Sequence, residues 1–244
     1  VKNVQLVGED AEKTIITYDD HANINKMGTF RTYTVKVEGN DITFKDLTIE
    51  NNAAPLGQAV ALHTEGDRLM FVNCRFLGNQ DTIYTGAEGA RLLFTNCYIE
   101  GTTDFIFGPS TALFEYCELH SKRDSYITAA STPQNEEFGY VFKNCKLTAA
   151  PGVKKVYLGR PWRPYAATVF INCEFGNHIR PEGWHNWKNP ANEKTARYAE
   201  FGNTGDGAET SGRVTWGKQL TKKEALRYTP ENIFKESSNW YPYK

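Results

Sequence analysis

The sequence lacks several features that would place it in a familiar class. No apolar run approaches the length of about 18 residues that a membrane-spanning helix needs. Lysine and arginine (28 together) nearly balance aspartate and glutamate (29), so the net charge of −1 creates no overall field toward nucleic acid or an anionic membrane. We therefore expect no nucleic-acid and no membrane partner, and any grip on an acidic polymer must be local.

The chain also shows no signal peptide. It opens directly on Val1–Gly8, a stretch whose pattern already predicts a strand. We therefore expect that the start has been processed or trimmed, so the missing signal says little about export.

A recurring unit is the most informative feature that the chain does have. Phenylalanine returns at intervals of 27, 23, 20, 28 and 28 residues, followed by Asn, Asp or Tyr two positions later, then Cys or Leu, with an apolar residue in the sixth position. The six copies are Phe44–Ile49, Phe71–Phe76, Phe94–Ile99, Phe114–Leu119, Phe142–Leu147 and Phe170–Phe175. A unit of this size indicates a solenoid, and its period-two alternation predicts a strand, hence a β-helix. Residues at equal offsets in successive units should lie about 4.8 Å apart.

The few cysteines and histidines argue against a disulfide framework and a metal site. The five cysteines all occupy the fourth position of the unit, whereas a disulfide framework would show varied contexts and usually an even count. There is no Cys-x-x-Cys pair, and the five histidines are isolated without ligand spacing. We interpret the cysteines as a ladder of buried thiols. The asparagines that precede four of them are predicted to form a polar ladder at a turn, bonded to neighbouring backbone.

The last quarter of the chain departs from the repeat. From Glu182 onward it is rich in Gly, Asn, Pro and aromatic residues. A capping box predicts a short helix over Thr221–Arg227, and Pro230 after Thr229 predicts the start of a second. These helices should cover an end or a flank of the solenoid. Because no linker is visible, residues 1–244 are expected to form a single β-helix domain.

Two aspartates occupy equivalent positions in successive coils. Asp81 lies seven residues after Cys74, and Asp104 lies seven residues after Cys97. The equal offsets predict carboxyl groups within about 6 Å of each other on one external face, one coil apart. Two like charges at that distance repel unless one group is protonated.

Two amides and a cation are predicted on the same face. Gln80 directly precedes Asp81, while Gln58 and Asp81 each lie thirteen residues before a repeat phenylalanine, which predicts Gln58 one coil from Asp81. Arg160 and Asp104 each lie ten residues before a repeat phenylalanine, so Arg160 is expected two coils away, at roughly 10 Å. A guanidinium on a long stem can close much of that gap, and it is expected to lower the pKa of Asp104.

The simplest alternative is a chance alignment of turn residues, because Asp is common in turns. Chance does not explain two acids placed together beside two amides. The set suits attack on an acyl carbon, with an ionised carboxylate as nucleophile, a protonated carboxyl as general acid and two amides as an oxyanion hole. Retaining glycosidases also place two carboxyls about 5 Å apart, but an oxyanion hole offers nothing to their oxocarbenium-like transition state.

Aromatic residues surround the predicted patch. They are Tyr84, Phe105, Phe107, Trp162 and Tyr165. Alternation assigns Phe105 to the core. Exposed rings beside a solenoid groove suit the faces of sugar rings, and Trp162 is predicted to stack on a sugar.

Four stretches of the chain resemble the pectin methylesterase (pectinesterase) family. They are Gly57–Leu62, Gly78–Tyr84, Gly101–Gly108 and Leu158–Trp162, and weaker similarity runs from about Val4 to Trp216. The resemblance implies an all-β, right-handed parallel β-helix that removes methyl esters from polygalacturonate and releases methanol, without a metal or cofactor. We accordingly expect a secreted (extracellular or periplasmic) monomer whose partner is methyl-esterified homogalacturonan (pectin). The resemblance also leads us to expect an initial segment, including the N-terminal capping coil, that is missing from this sequence.

The resemblance also implies roles for individual residues. Asp104 matches the nucleophile, Asp81 the general acid and base, and the pair Gln58 and Gln80 the oxyanion donors. Arg160 is expected to orient Asp104. The residues expected to contact substrate are Arg160, Trp162, Tyr84, Phe107 and Thr29.

Two other functions remain open from the sequence. A β-helix pectin lyase or glycosidase would act on the same polymer, but a lyase needs a cluster of acids for calcium and a basic residue, and the chain has one acid pair with no third acid at a matching offset. A non-catalytic, carbohydrate-binding solenoid would need aromatic residues without the paired acids. An assay that compares methanol release with shortening of the polymer separates these functions.

Overall fold

The computed structural model describes residues 2–235 and residue 240. Within these residues the strands form three parallel sheets of nine, seven and six strands, and the chain passes through the three sheets in turn, coil after coil. This arrangement is a parallel β-helix, as the repeat predicted.

Neighbouring strands in each sheet come from successive coils of the chain. The nine-stranded sheet contains Lys2–Val7, Asn40–Lys45, Leu69–Val72, Arg91–Thr95, Thr111–Glu115, Tyr140–Lys143, Ala167–Ile171, Arg197–Phe201 and Lys218–Gln219. The seven-stranded sheet contains Ile15–Tyr18, Thr48–Asn51, Arg75–Leu77, Tyr98–Gly101, Glu118–Ser121, Lys146–Ala149 and Glu174–Phe175. The six-stranded sheet contains Val35–Val37, Leu62–Thr64, Ile83–Thr85, Ile106–Gly108, Tyr126–Ala130 and Tyr157–Gly159.

The repeat phenylalanines form a ladder through the core. Each pairs in register with the phenylalanine of the next coil, as Phe71 does with Phe94 and Phe94 with Phe114. Successive ring centroids are 4.4 to 5.3 Å apart, with nearly parallel planes. Equal offsets therefore do place residues one strand spacing apart, which is the premise of the predicted site.

The prediction that each unit is one continuous strand is wrong. The unit is a corner between two sheets, and its third residue makes the turn. Those residues have φ between 51° and 55°, in the left-handed region: Asp46, Asn73, Asn96, Tyr116, Asn144 and Asn172. Asparagine tolerates this conformation better than most residues, which explains its recurrence. The side chains are largely exposed, and Asn73 bonds the Asp46 carboxylate rather than backbone, so the predicted backbone-bonded polar ladder is also wrong.

The prediction of a thiol ladder is confirmed. All five cysteines are unpaired and buried just inside the corners. Each thiol from the second onward lies near a backbone oxygen of the preceding coil; for example, the Sγ atom of Cys97 is 3.4 Å from the carbonyl oxygen of Phe71. The thiols therefore fill the interior between stacked corners as small apolar groups.

The C-terminal helices lie on a flank of the stack. Thr221 caps a helix over Lys222–Ala225 through the predicted capping box, although the helix is shorter than predicted. The second helix, Pro230–Ile233, begins with the predicted proline. Ile233 and Phe234 pack on the outer face of the nine-stranded sheet. Among the described residues there are also four short 3₁₀ turns, over Ile24–Lys26, Thr29–Arg31, Pro190–Lys194 and Asp206–Ala208.

No helix in the part of the chain that the structure describes is long and apolar enough to cross a membrane.

The left-handed corners make a prediction about stability. Replacing Asn96 by valine should lower the free energy of unfolding by about 1 to 2 kcal/mol, because a β-branched residue is poorly accommodated at positive φ. Replacing it by glycine should change that free energy by no more than about 0.5 kcal/mol. Urea unfolding measures both. Asn52→Val is the matched control at another exposed asparagine, and an equal loss at both positions would contradict the assignment of the corner.

Candidate active site

The two predicted acids lie side by side on the six-stranded sheet. Each comes two residues before a strand, and the pairing of Ile83 with Ile106 sets Asp81 beside Asp104 in adjacent coils. The backbone N–H of Asp81 donates to the carbonyl oxygen of Thr103 at 3.0 Å, which fixes that alignment. Both side chains are buried, with 7% and 6% of their residue surface exposed. The predicted placement of the two acids in adjacent coils is confirmed.

Both acids have a backbone conformation that side chains disfavour. Asp81 has φ of 68° and Asp104 has φ of 49°, in the left-handed region. Such conformations cost free energy and persist where surrounding structure over-determines them, and they cluster at functional sites. Here the backbone N–H groups of Asp81 and Asp104 donate to carbonyl oxygens of the next coil, and these hydrogen bonds hold the backbone in place.

The environment of Asp81 favours its protonated form. Burial raises the pKa of this carboxyl well above its usual value, and the nearby charge of Asp104 raises it further. The more distant charge of Arg160 lowers the pKa but does not offset these effects.

Arg160 holds Asp104 with both ends of its guanidinium. Its Nε atom donates to Oδ1 at 2.9 Å and its Nη2 atom donates to Oδ2 at 2.6 Å. The guanidinium carbon of Arg160 lies 3.9 Å from the centroid of the Tyr126 ring and 3.7 Å from the centroid of the Trp187 ring. The two-point contact fixes the plane of the carboxylate, and the rings stabilise the cation away from water.

Arg160 lowers the pKa of Asp104 as predicted, but the net shift is upward. Burial raises the pKa of Asp104 above its usual value, while the hydrogen bonds and charge of Arg160 lower it without cancelling the effect of burial. Desolvation of a carboxylate in so enclosed a position exceeds the attraction of one cation. The asymmetry with Asp81 remains, because Arg160 bonds Asp104 directly.

Gln58 lies beside Gln80, whereas the equal offsets had aligned it with Asp81. Their backbones pair in parallel, so Gln58 is aligned with Gln80 and not with Asp81. The N–H groups of Ala61 and Leu62 both donate to the carbonyl oxygen of Thr82, which marks one extra residue in this coil. This bulge shifts the register by one. The two amides still lie one coil apart, at the same end of the strands as the acids.

Aromatic rings continue the site away from Arg160. Tyr84 and Phe107 follow the two acids on neighbouring strands, with ring centroids 4.7 Å apart, and Trp162 lies 5.8 Å from Phe107. Phe30 covers Tyr84 at 4.8 Å from a separate turn. Thr29 lies on that turn next to Phe30, and its described hydrogen bond is internal to the turn.

Comparison with known proteins identifies the family. The family model described as pectinesterase matches residues 1–237. The chain belongs to the pectinesterase family. It is therefore an enzyme of the carboxylic ester hydrolases, and its similarity to curated and solved members extends over nearly its whole length.

Relatives of this pectinesterase chain come from plants and microbes. Pectinesterase 31 of Arabidopsis thaliana is 40% identical over 233 residues, which are 91% of this chain and 73% of the relative. The structure of pectin methylesterase from carrot has a TM-score of 0.90 at 34% identity and covers 96% of this chain and 77% of its own. A pectin methylesterase solved in complex with a hexasaccharide has a TM-score of 0.84 at 28% identity. The match covers 97% of this chain and 86% of the relative. The chain spans only 43% of a longer Arabidopsis relative, a probable pectinesterase/pectinesterase inhibitor.

Sequence reasoning missed three residues of the site in this pectinesterase chain. Tyr126 and Trp187 enclose Arg160, and Phe30 covers Tyr84. Loops of unequal length hide them from an offset argument, although the Trp184–Trp187 segment is conspicuous for its two tryptophans. Phe105 is buried in the core as predicted. Tyr165 has positive φ, and its carbonyl oxygen accepts from Arg197.

Replacing Asp81 by asparagine should stabilise the fold in a pH-dependent manner. Because the folded-state pKa of Asp81 is raised above its usual 3.8, the unfolded chain loses its proton first as the pH rises, and the wild type then loses stability relative to the variant. The free energy of unfolding of Asp81→Asn should exceed that of the wild type by about 1 kcal/mol or more at pH 7. Urea unfolding should show that this difference shrinks toward pH 4, and a difference independent of pH would contradict the assignment.

Proposed function

We propose that this chain hydrolyses the methyl esters of methyl-esterified homogalacturonan through a covalent intermediate on Asp104, releasing methanol and leaving acidic pectin. The observation that carries the mechanism is the two-point contact of Arg160 with Asp104 beside a second carboxyl whose environment favours a proton. One acid is thereby oriented to attack while the other can donate.

The first step forms the acyl-enzyme. A carboxylate oxygen of Asp104 attacks the ester carbonyl carbon, and the carbonyl oxygen becomes an oxyanion that the amides of Gln58 and Gln80 stabilise. The bond to the methoxy oxygen then breaks. Asp81 donates its proton to that oxygen, so methanol leaves as a neutral molecule and an anhydride joins Asp104 to the polymer.

The second step returns the enzyme to its starting state. Asp81, now a carboxylate, removes a proton from water, and the resulting hydroxide attacks the acyl carbon of the polymer. The anhydride bond breaks toward Asp104, which regains its charge, and the product is a galacturonate carboxyl. Asp81 has its proton again, so protons and charge balance over the cycle.

The aromatic rings suit a sugar polymer. Trp162, Tyr84 and Phe107 form a continuous apolar edge beside the acids. The half-buried rings of Trp162 and Tyr84 offer rigid platforms for a sugar face, and the buried ring of Phe107 packs against both. The hexasaccharide complex of a related pectin methylesterase supports an oligosaccharide ligand. Thr29 is proposed as a further contact because it lies next to Phe30 at the same edge.

The remaining assignments follow from this substrate. Methylated pectin is a polymer outside the cell membrane, so we propose that the protein acts after export, as a monomer and as a single catalytic domain. No metal or cofactor has a role in the proposed cycle, since the acids, amides and arginine supply every proton and charge that it needs.

Asp104→Asn should abolish methanol release, because an amide is not a nucleophile for this step. Asp46→Asn is the matched control, since Asp46 also has positive φ and other coils carry asparagine at its position. A coupled methanol assay on methylated pectin measures both, and size-exclusion chromatography of the polymer checks that the chain is not shortened. Methanol release by Asp104→Asn near the wild-type rate would contradict the covalent mechanism, and shortening by the wild type would favour a lyase or glycosidase.

Gln58→Ala and Gln80→Ala should each lower kcat about 10²-fold, the scale of losing one oxyanion donor. KM should change little, because the interaction strengthens only as the oxyanion forms. Gln134→Ala, at an exposed loop position, is the control. Steady-state kinetics decide the question: a rise in KM at constant kcat would assign the amides to substrate binding instead.

A further inference from the structure

The turn that carries Trp187 is strained. Trp187 and the following residue, Lys188, have φ of 60° and 56°, so two successive residues other than glycine occupy the left-handed region. This conformation costs free energy at each position and requires support from its surroundings. It presents the Trp187 ring to the guanidinium of Arg160 at 3.7 Å.

His185 supplies that support. Its ring Nδ1 atom accepts a hydrogen bond from the backbone N–H of Trp187 at 3.0 Å, and its own backbone N–H donates to the carbonyl oxygen of Gly159 at 3.1 Å. Its ring also packs on Tyr126, with centroids 5.3 Å apart, and on Tyr157 at 5.2 Å. One imidazole therefore contacts both residues that enclose Arg160.

We propose that His185 is a positioning residue, whose neutral imidazole holds Trp187 and Tyr126 against Arg160 and releases them when it is protonated. The inference rests on the proposed roles of Arg160 and Asp104. A neutral ring has one nitrogen without a proton, and the geometry requires that nitrogen to be Nδ1. A protonated ring would set its own N–H against that of Trp187, and the bond would be lost.

The surroundings of His185 favour the neutral form of its ring. Burial lowers the pKa of His185, and the charges of Arg160, Lys188 and Arg180 lower it further. Arg180 lies over the Tyr157 ring at 4.7 Å and is paired with Glu182 at 3.2 Å. The groups that face the imidazole are thus two tyrosine rings and three cations. The bond to Trp187 is intact above the pKa of His185 and is lost as the pH falls through it.

Two substitutions separate the hydrogen bond from the rest of the side chain. His185→Leu removes the acceptor at every pH, whereas His185→Asn keeps an acceptor that can reach the N–H group two residues on and does not titrate. At about pH 8 we expect kcat of the leucine variant to fall about tenfold, the scale of one lost hydrogen bond. The asparagine variant should keep most of the wild-type kcat. His120→Leu, which replaces another half-buried histidine in the seven-stranded sheet, should retain wild-type kcat.

The pH dependence provides a readout that a merely structural role would not move. The ratio of kcat for His185→Asn to kcat for the wild type should rise as the pH falls, because only the wild type loses the bond; the titrations of Asp81 and Asp104 are common to both proteins. A flat or falling ratio, or equal losses in the leucine and asparagine variants at unchanged unfolding temperature, would overturn the proposal. Methanol release by the wild type tests the proposed function separately, so a failure of the proposed function can be told apart from a failure of the role proposed for His185.

Discussion

Backbone hydrogen bonds between successive coils of the six-stranded sheet align the two acids of the site. They place Asp104 in the coil next to Asp81, where the charge of Asp104 raises the pKa of Asp81. The same ladder carries Arg160 to Asp104, although 56 residues separate them in sequence. In a solenoid, the stacking of neighbouring coils is thus enough to bring residues that are distant in sequence into contact.

Electrostatics turns this symmetric pair of acids into an unequal one. Burial raises the pKa of both carboxyls, but Arg160 bonds only Asp104. The direct contact with Arg160 therefore favours the charged form of Asp104, whereas the charge of Asp104 disfavours ionisation of Asp81. The guanidinium is itself withdrawn from water, and the faces of Tyr126 and Trp187 replace part of its hydration. The different roles that we propose for the two aspartates thus follow from their different neighbours.

The sequence predicted those parts of the molecule that depend on a constant offset. The phenylalanine ladder, the thiol ladder, and the juxtaposition of Asp81 with Asp104 follow from equal spacing, and each is present. Predictions failed where the backbone leaves the regular pattern. The bulge after Gln58 shifts the register of Gln58 by one residue relative to the next coil. The left-handed residue in each repeat unit makes a corner where a strand was predicted. Arg160 lowers the pKa of Asp104 as predicted, but the net direction depends on burial, which spacing cannot reveal.

The most direct test of this account is to locate the proton shared by the two acids. Carbon-13 NMR can follow the carboxyl carbons of Asp81 and Asp104 across a pH titration, with assignments from Asp81→Asn and Asp104→Asn. The pair titrates as a coupled system, but each carbon shift reports the ionisation of its own group. The account predicts that Asp104 ionises at the lower pH while Asp81 keeps its proton. Ionisation of Asp81 before Asp104 would contradict it and would exchange the roles of nucleophile and acid.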